Sequence, residues 1–413
     1  MEVSIPPHFV CPISLDLMKD PVTISTGITY DRESIEKWIQ NGHFTCPVSN
    51  QRLPNFEQIP NHFIRKMIQS WCVENKSSGI ERIPTPRAPI TPFEVLELRK
   101  RISAAVQIGD RRRCMELVGK VKSLAKESER NRKSFAENGV GKPLALAFEF
   151  FSTLSPDEHS GLLEEILSVT VWIFPKHVEA KGNMTSTASL LSLTWILKTG
   201  DLSSKRDAVL LLRNIVSSTP ELVPRLLQVE GIAEELYRLI SKPICSQVSK
   251  ASLGIIWSLI ESSRRCLTSL TEMGLVDLIV EMLIEAEKST CLKALSVLDT
   301  LCESHQGRMK AYKNSLIVPL LVHRITVVSD LQSELSVSIL WKLAKNDRRE
   351  NGVLMEITEL GEMRLFQTLL LLLQIGCGRG SKVKELLKLL NLQRVVMGCA
   401  ASASGFEHLK IPN

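Results

Sequence analysis

Two short runs near the start of the chain have the spacing of metal chemistry: Cys11-Pro12-Ile13-Ser14 and Cys46-Pro47-Val48-Ser49. Each is a C-x-x-C knuckle whose second cysteine is a serine. Tetrahedral zinc takes four ligands, two from each knuckle, so one sulfur per knuckle leaves no closed site. The remaining candidate ligands are His8, Cys11, His43, Cys46 and His62. His43-x-x-Cys46 keeps a ligand spacing, but Asn41 and Ser49 stand where further ligands would be needed. The reading is a cross-braced module without metal or cofactor. Serine both donates and accepts hydrogen bonds, so Ser14 and Ser49 can close a polar network in place of the ion. Cys11 and Cys46 then read as small core residues.

No other residue pattern carries covalent chemistry. The sequence holds no Ser-His-Asp set, no paired catalytic carboxylates and no activated cysteine context. Its ten cysteines are scattered without a C-x-x-C, which suits a reducing compartment. The stretch from Gly376 to Lys382 is glycine-rich, but it lacks G-x-x-x-x-G-K spacing and a preceding strand, so it is no phosphate loop. Lys plus Arg exceed Asp plus Glu by 51 − 45 = 6, a mild excess over 413 residues. With no basic run interleaved with aromatics, nucleic acid is not an expected partner. Arg99, Lys100, Arg101, Arg111, Arg112 and Arg113 read as solvated faces, with an acidic partner as the lesser alternative. No signal peptide is expected from the N-terminal residues. The longest apolar run, Leu365 to Ile375, is interrupted by Gln367 and Gln374 and is too short to span a membrane. The expected location is cytoplasmic, with the nucleus as a second one.

The elements that position the knuckles follow from pattern. Pro21 to Thr29, rich in β-branched residues with Gly27 as the turn, predicts a hairpin. Asp31 is placed to cap a helix with Ile35, Trp38 and Ile39 on one face, ended by Asn41-Gly42. Leu53 and Ile59 fall in irregular chain. Asn61 caps a second helix with a wide stripe of Phe63, Ile64, Met67, Ile68, Trp71 and Cys72, which predicts that it packs on the module. Residues 77–92 contain Gly79, Pro84, Pro86, Pro89 and Pro92 without apolar period and read as an extended spacer. Within it, Thr85-Pro86 and Thr91-Pro92 are minimal sites for a proline-directed kinase. From residue 93 to 396 the pattern is helical. Gly139, Gly182, Gly231, Gly274, Ser315 and Gly361 recur at gaps of 43, 49, 43, 41 and 46 residues. A period in the forties predicts armadillo or HEAT repeats, stacked because no repeat buries its faces alone. Residues 397–413 read as a flexible tail. The fold class is mostly α: a small α+β module over residues 5–76, then an α-solenoid.

The first module resembles a U-box. The resemblance lies in Ile5-Pro6, the run from Phe9 to Val22, Gly27-Ile28-Thr29-Tyr30-Asp31-Arg32, Cys46-Pro47-Val48 and Pro60-Asn61. With the repeats behind it, the chain is similar to the plant U-box proteins with armadillo repeats, in particular a short subgroup associated with stress and immune signalling. The resemblance implies a ubiquitin ligase of the RING type. A ubiquitin-charged conjugating enzyme would dock on the module and a protein substrate on the repeats, with self-modification. By motif position Ile13 and Leu15 would form one loop wall, Trp38 the floor and Pro47 the other wall. Cys11, Ser14, Tyr30, Asp31, Cys46 and Ser49 would be structural. Asn50 departs from the pattern, because many RING-like ligases carry there an arginine that bridges donor and ubiquitin, and Arg52 is the nearest cation. A non-catalytic armadillo adaptor with an inactive U-box is the alternative, and a homo-oligomer is left open.

Overall fold

The computed structural model describes residues 5–81, 83, 89–154, 156–173, 183–285, 287–327, 330–347, 349, 352–359, 362–374 and 380–404. These divide into two compact units, Met1–Pro89 and Ile90–Asn413.

In the first unit the hairpin forms as the β-branched run predicts. Strands β1 (Pro21–Thr23) and β2 (Thr29–Asp31) pair antiparallel with Val22 opposite Tyr30. Gly27 takes the positive φ of 79° that the turn needs. A third strand, β3 (Ile59–Pro60), pairs on the other side of β1, where the sequence suggests irregular chain. Two residues are too few for any period to register, and Pro60 is tolerated because β3 is an edge. Helix α1 (Arg32–Gln40) buries Ile35 and half-buries Trp38 and Ile39. Helix α2 (His62–Glu74) starts at Asn61, whose side chain accepts from Ile64 N at 3.0 Å while its amide reaches Thr23 and Thr29. Only part of its stripe turns inward. Ile68 and Cys72 are buried, whereas Phe63 is 73% exposed, because a core this small is filled by one narrow face.

The linker is tied at both ends. Ile80 and Ile83 pack on the first core, and Gln69 donates to Ile83 O at 3.3 Å. Ile90 packs on the second core, and its N–H donates to Asn131 Oδ1 at 2.9 Å. Thr85 lies outside the described residues. Thr91 is the N-cap of the first array helix, with a complete capping box to Glu94, and Pro92 is its first residue. Proline suits that position because its missing N–H would be unpaired anyway.

The second unit is built from α3 (Pro92–Gln107), α4 (Arg111–Glu127), α5 (Glu129–Glu137), α6 (Gly141–Leu154), α7 (Pro156–Ile173), α8 (Thr187–Thr199) and α9 (Leu202–Ser218). It continues through α10 (Val223–Leu226), α11 (Ile232–Ser241), α12 (Ser246–Ser262), α13 (Arg264–Glu272), α14 (Leu275–Glu285) and α15 (Lys288–Leu301). It ends with α16 (His305–Ala311), α17 (Ile317–Val327), α18 (Asp330–Asn346), α19 (Val353–Glu359), α20 (Glu362–Gln374) and α21 (Gly380–Ser404). One ladder runs α4, α7, α9, α12, α15, α18, α21, each helix packed on the next; a second runs α3, α6, α8, α11, α14, α17, α20. This is the armadillo arrangement that the period predicts, with the buried hydrophobic residues of this unit in one continuous core.

The recurring glycines mark the turn before the second helix of a repeat. Gly139, Gly231 and Gly274 all have φ between 70° and 94°, a region closed to most side chains. At Ser315 the turn is made without positive φ: Asn314 Oδ1 accepts from Leu316 N at 3.1 Å instead. Gly182 and Gly361, and most of the glycine-rich stretch from Gly376, lie outside the described residues. Helix α21 continues past Val396 to Ser404. Alanine carries the highest helix propensity, and Ala400, Ala401 and Ala403 extend the element into the segment read as a tail.

One ion pair is built into the ladder. Lys342 on α18, 8% exposed, reaches Asp299 Oδ1 at 2.9 Å and Asp299 O at 2.7 Å on α15, and Glu303 at 3.1 Å. Ser338 also donates to Asp299, at 2.7 Å. Removing one partner of such a pair strands a buried charge. Lys342→Met is expected to destabilise the repeat array by about 3 kcal/mol in urea unfolding, with partial recovery when Asp299→Leu is added. Equal stability of Lys342→Met and wild type would show that the pair carries no such load.

Candidate functional site

The two knuckles are the same structure built twice. In the first, Cys11 N–H donates to Asp16 O at 2.8 Å and Leu15 N–H to Cys11 O at 2.9 Å. In the second, Cys46 N–H donates to Gln51 O at 2.8 Å and Asn50 N–H to Cys46 O at 2.9 Å. Each loop is closed at its base by a bridge, Val10 to Leu17 and Thr45 to Arg52. The residue four places after each cysteine is left-handed: Leu15 at φ 60° and Asn50 at φ 55°. Asparagine visits this region readily, whereas leucine does so at a cost. Leu15 is nonetheless 75% exposed, so no burial of its side chain offsets that conformation.

The polar network expected of the serines exists, but its hubs are elsewhere. Ser14 and Ser49 are exposed; Ser14 Oγ accepts from Asp16 N at 3.4 Å and Ser49 donates its backbone N–H to Cys46 Sγ at 3.5 Å. The acceptors at the centre are the two fully buried sulfurs. Cys46 Sγ lies 3.0 Å from the Tyr30 hydroxyl and accepts from Thr26 Oγ1 at 3.4 Å. Burial works against a thiolate there, but hydrogen bonds from Ser49, Thr26 and Tyr30 outweigh it and bring Cys46 down to about 6. Burial and the neighbouring Cys46 sulfur push Tyr30 upward. The opposite directions mean that the phenol keeps its proton and the sulfur accepts. Cys11 Sγ accepts from Asp31 N at 3.3 Å. Burial opposes ionisation at Cys11 as well, and backbone donors at Ser14, Asp31 and Ile13 more than compensate, so its thiol is also lowered.

Asp31 stands at the N-cap position of α1 but does not cap it. Its carboxylate turns back instead and accepts from Lys19 N at 2.8 Å and Asp20 N at 2.9 Å, holding the chain that leaves the first knuckle. Asp20 then joins both helices, through Arg32 Nε at 2.7 Å and the Arg65 guanidinium. Trp38 ties α1 to the second knuckle: its Nε1 donates to Thr45 O at 2.8 Å, and its ring stacks on His43 at 4.2 Å. So Trp38 positions a knuckle as well as contributing surface. Ile13 and Pro47 are half-buried on the loops, and Val48, which the motif did not single out, is 55% exposed beside Pro47.

Among the described residues no group of three or more His, Cys, Asp or Glu is arranged to hold a metal ion. Cys11 and Cys46 are engaged as above, His8 packs against Phe9, and His62 lies by Arg65. No helix among the described residues is long and apolar enough to cross a membrane.

The depressed Cys46 thiol gives a signed pH effect. Its folded pKa lies below the ordinary thiol value, so its stabilisation is complete above pH 9 and fades as pH falls to about 6. Thermal unfolding of the first unit should therefore drop over that window in wild type relative to Cys46→Ser, which cannot ionise there. Parallel curves for the two proteins would show that the sulfur stays a neutral thiol.

With the geometry described, comparison with known proteins places the chain. Residues 5–77 match the U-box domain family, and residues 94–410 match the plant U-box protein ARM repeat region. Among relatives from Arabidopsis thaliana, U-box domain-containing protein 21 is 43% identical, over 100% of this chain and 94% of that one. U-box domain-containing protein 20 is 41% identical over 100% and 93%, and E3 ubiquitin-protein ligase PUB23 is 32% identical over 94% and 93%. Among solved structures, an engineered protein aligns over 72% of this chain and 68% of its own, at TM-score 0.49 and 15% identity. A designed armadillo repeat protein in complex with the peptide (KR)4 aligns over 58% and 97%, at TM-score 0.44 and 17% identity. A U-box of paired knuckles followed by armadillo ladders, matched along nearly the whole chain, means that this protein belongs to the plant U-box proteins with armadillo repeats.

Proposed function

We propose that the protein is a ubiquitin ligase that docks a ubiquitin-charged conjugating enzyme on the knuckles and α1, and a protein substrate on the repeats. The observation that carries this reading is the exposed leucine at φ 60° on a loop whose base is closed by a hydrogen-bonded ring. Strain and exposed apolar surface together, on an otherwise well-determined loop, mark a recognition element. Ile13 and Leu15 on one knuckle, Pro47 on the other, and Trp38 on the helix tied to it supply an apolar docking surface. The relatives named as E3 ubiquitin-protein ligases support the same activity for this chain.

No covalent intermediate forms on this protein. The thioester between ubiquitin and the conjugating enzyme is attacked by a substrate lysine amine, and the enzyme's thiolate leaves. The ligase contributes proximity and orientation, worth up to ~7–11 kcal/mol in ideal intramolecular cases. Docking over a small area suits a donor that must leave after each transfer. Asn50 occupies the place of the bridging arginine, in a left-handed conformation that asparagine tolerates well. It offers hydrogen bonds to donor and ubiquitin, but without the charge assistance of a guanidinium. The rival reading, an adaptor whose U-box no longer activates, takes this substitution as its starting point.

Self-ubiquitination with purified activating and conjugating enzymes decides between them. Ile13→Ala should lower chain formation at least about tenfold, the loss of roughly 1.4 kcal/mol of docking, with unchanged circular dichroism. Asn50→Arg should raise it a few-fold through a charge-assisted bridge. Silence of the wild type beside a working control ligase would favour the adaptor, and normal activity of Ile13→Ala would remove the docking surface from the first knuckle.

A further inference from the structure

Along the ladder α4 to α21, three cations that lean on a neighbouring helix meet carboxylates. Lys122 reaches Glu165 at 2.5 Å, Lys342 reaches Asp299, and Lys345 reaches Glu385 at 3.8 Å. At the step formed by α9, α12 and α15 the cations are not paired in this way. Arg213 on α9, Lys250 on α12 and Lys293 on α15 have no acidic partner among the described residues. Burial disfavours the Lys293 ammonium, and the charges of Arg213 and Lys250 disfavour it further. Arg213 is also disfavoured by burial, with no carboxylate to offset it.

The cluster is shaped as well as charged. Arg213 lies across α12 at Gly254: a Cβ there would sit 2.7 Å from the Arg213 Nε. A glycine in the middle of a helix is unfavourable by roughly 1 kcal/mol against alanine, and this close approach is the packing reason for it. One turn on, Lys293 Nζ lies 5.6 Å from the centroid of the half-buried Trp257 ring. Trp257 Nε1 has no acceptor among the described residues.

Two repeats further along, the same arrangement is complete. Trp341 of α18 carries Lys345 and Lys382 over its ring, at 4.7 and 5.2 Å, and its Nε1 donates to Glu385 Oε2 at 2.8 Å. There the protein supplies its own carboxylate to the indole N–H and to Lys345. At Trp257 the Lys293 ammonium and the N–H are present, with Arg213 and Lys250 acting on Lys293, and no carboxylate pairs with them among the described residues.

We propose that Arg213, Lys250, Trp257 and Lys293 form an anion subsite of the repeat array that takes carboxylate side chains from an acidic peptide segment of the protein substrate. This rests on reading the array as the substrate platform. A ligand carboxylate accepts from Trp257 Nε1, as Glu385 does from Trp341, and relieves the repulsion among the three cations.

The test is fluorescence anisotropy of a labelled polyglutamate peptide of about ten residues with the full chain. Binding is expected, weakening steeply with salt. Lys250→Gln with Lys293→Gln should weaken it at least about tenfold, and Trp257→Phe, which keeps the ring and removes the N–H, by several-fold. Lys293→Arg should retain it, and Lys313→Gln, which removes an exposed charge elsewhere, should leave it unchanged. Lys250 is exposed, so Lys250→Gln alone reports on the site if the double variant fails to fold. No binding, equal binding by the Lys250→Gln and Lys293→Gln variants, or equal loss in Lys313→Gln would overturn the proposal. So would an oligonucleotide of equal charge binding the same site more tightly. Self-ubiquitination is read on the same wild-type preparation. An active ligase that ignores the peptide fails this subsite alone, and an inactive protein that binds it fails the ligase reading alone.

Discussion

Two buried sulfurs and one doubly used carboxylate do in this protein what metal ions do in a zinc-braced module. Zinc would fix two loops by four strong bonds each. Here Cys46 accepts from Tyr30, Thr26 and Ser49, while Asp31 gathers Lys19 and Asp20 and so delivers Asp20 to Arg32 and Arg65. Each of these bonds is weak alone, and the brace depends on all of them being satisfied together in a low-dielectric interior. Such a brace needs no ion. It also ties the loops to β2, α1 and α2 in a single network, so a change at any of these elements is felt at the knuckle tips.

That coupling explains why the first tip can hold an unfavourable conformation at Leu15. A left-handed leucine persists only where its surroundings over-determine it. The ring closed by Cys11 N–H to Asp16 O and Leu15 N–H to Cys11 O does so for Leu15. A loop fixed beforehand loses little freedom when a partner arrives, and for a small interface this saving is a large share of the affinity. The buried polar brace and the exposed apolar tips are therefore two halves of one device.

Much of this was legible in the sequence, because the signals were local or periodic. Cys-x-x-Ser spacing gave away the twin knuckles, β-branched residues around Gly27 gave the hairpin, and glycines every forty-odd residues gave the array. What stayed hidden depended on tertiary geometry. Ser14 and Ser49 looked like the polar hubs because hydroxyls hydrogen-bond well, yet burial placed the sulfurs there instead. Asp31 had the right type and position for a cap, and the competing donors at Lys19 and Asp20 are distant in sequence. Strand β3 was too short to show a period, and the isoleucines that tie down the linker were masked by prolines. The left-handed turn at Leu15 could have been found by aligning the knuckles on their cysteines, which sets Leu15 opposite Asn50, a residue that signals such a turn.

The repeat array handles unfavourable electrostatics by a different logic from the U-box. In a stack where each helix meets only its neighbours, stability is close to a sum over steps. A strained step is affordable when the steps beside it are strong. Between α9, α12 and α15 the partly buried Arg213 and Lys293, whose attraction to water is reduced, face each other and the exposed Lys250 without a carboxylate partner among the described residues. The next step toward the C-terminus carries the buried Lys342–Asp299 pair with Ser338 and Glu303 around it. Its satisfied network holds α15 to α18 while the face of α15 toward α12 remains short of negative charge. A globular core would have to relax around such a cluster. A ladder can leave it in place, which is what the proposed anion subsite requires.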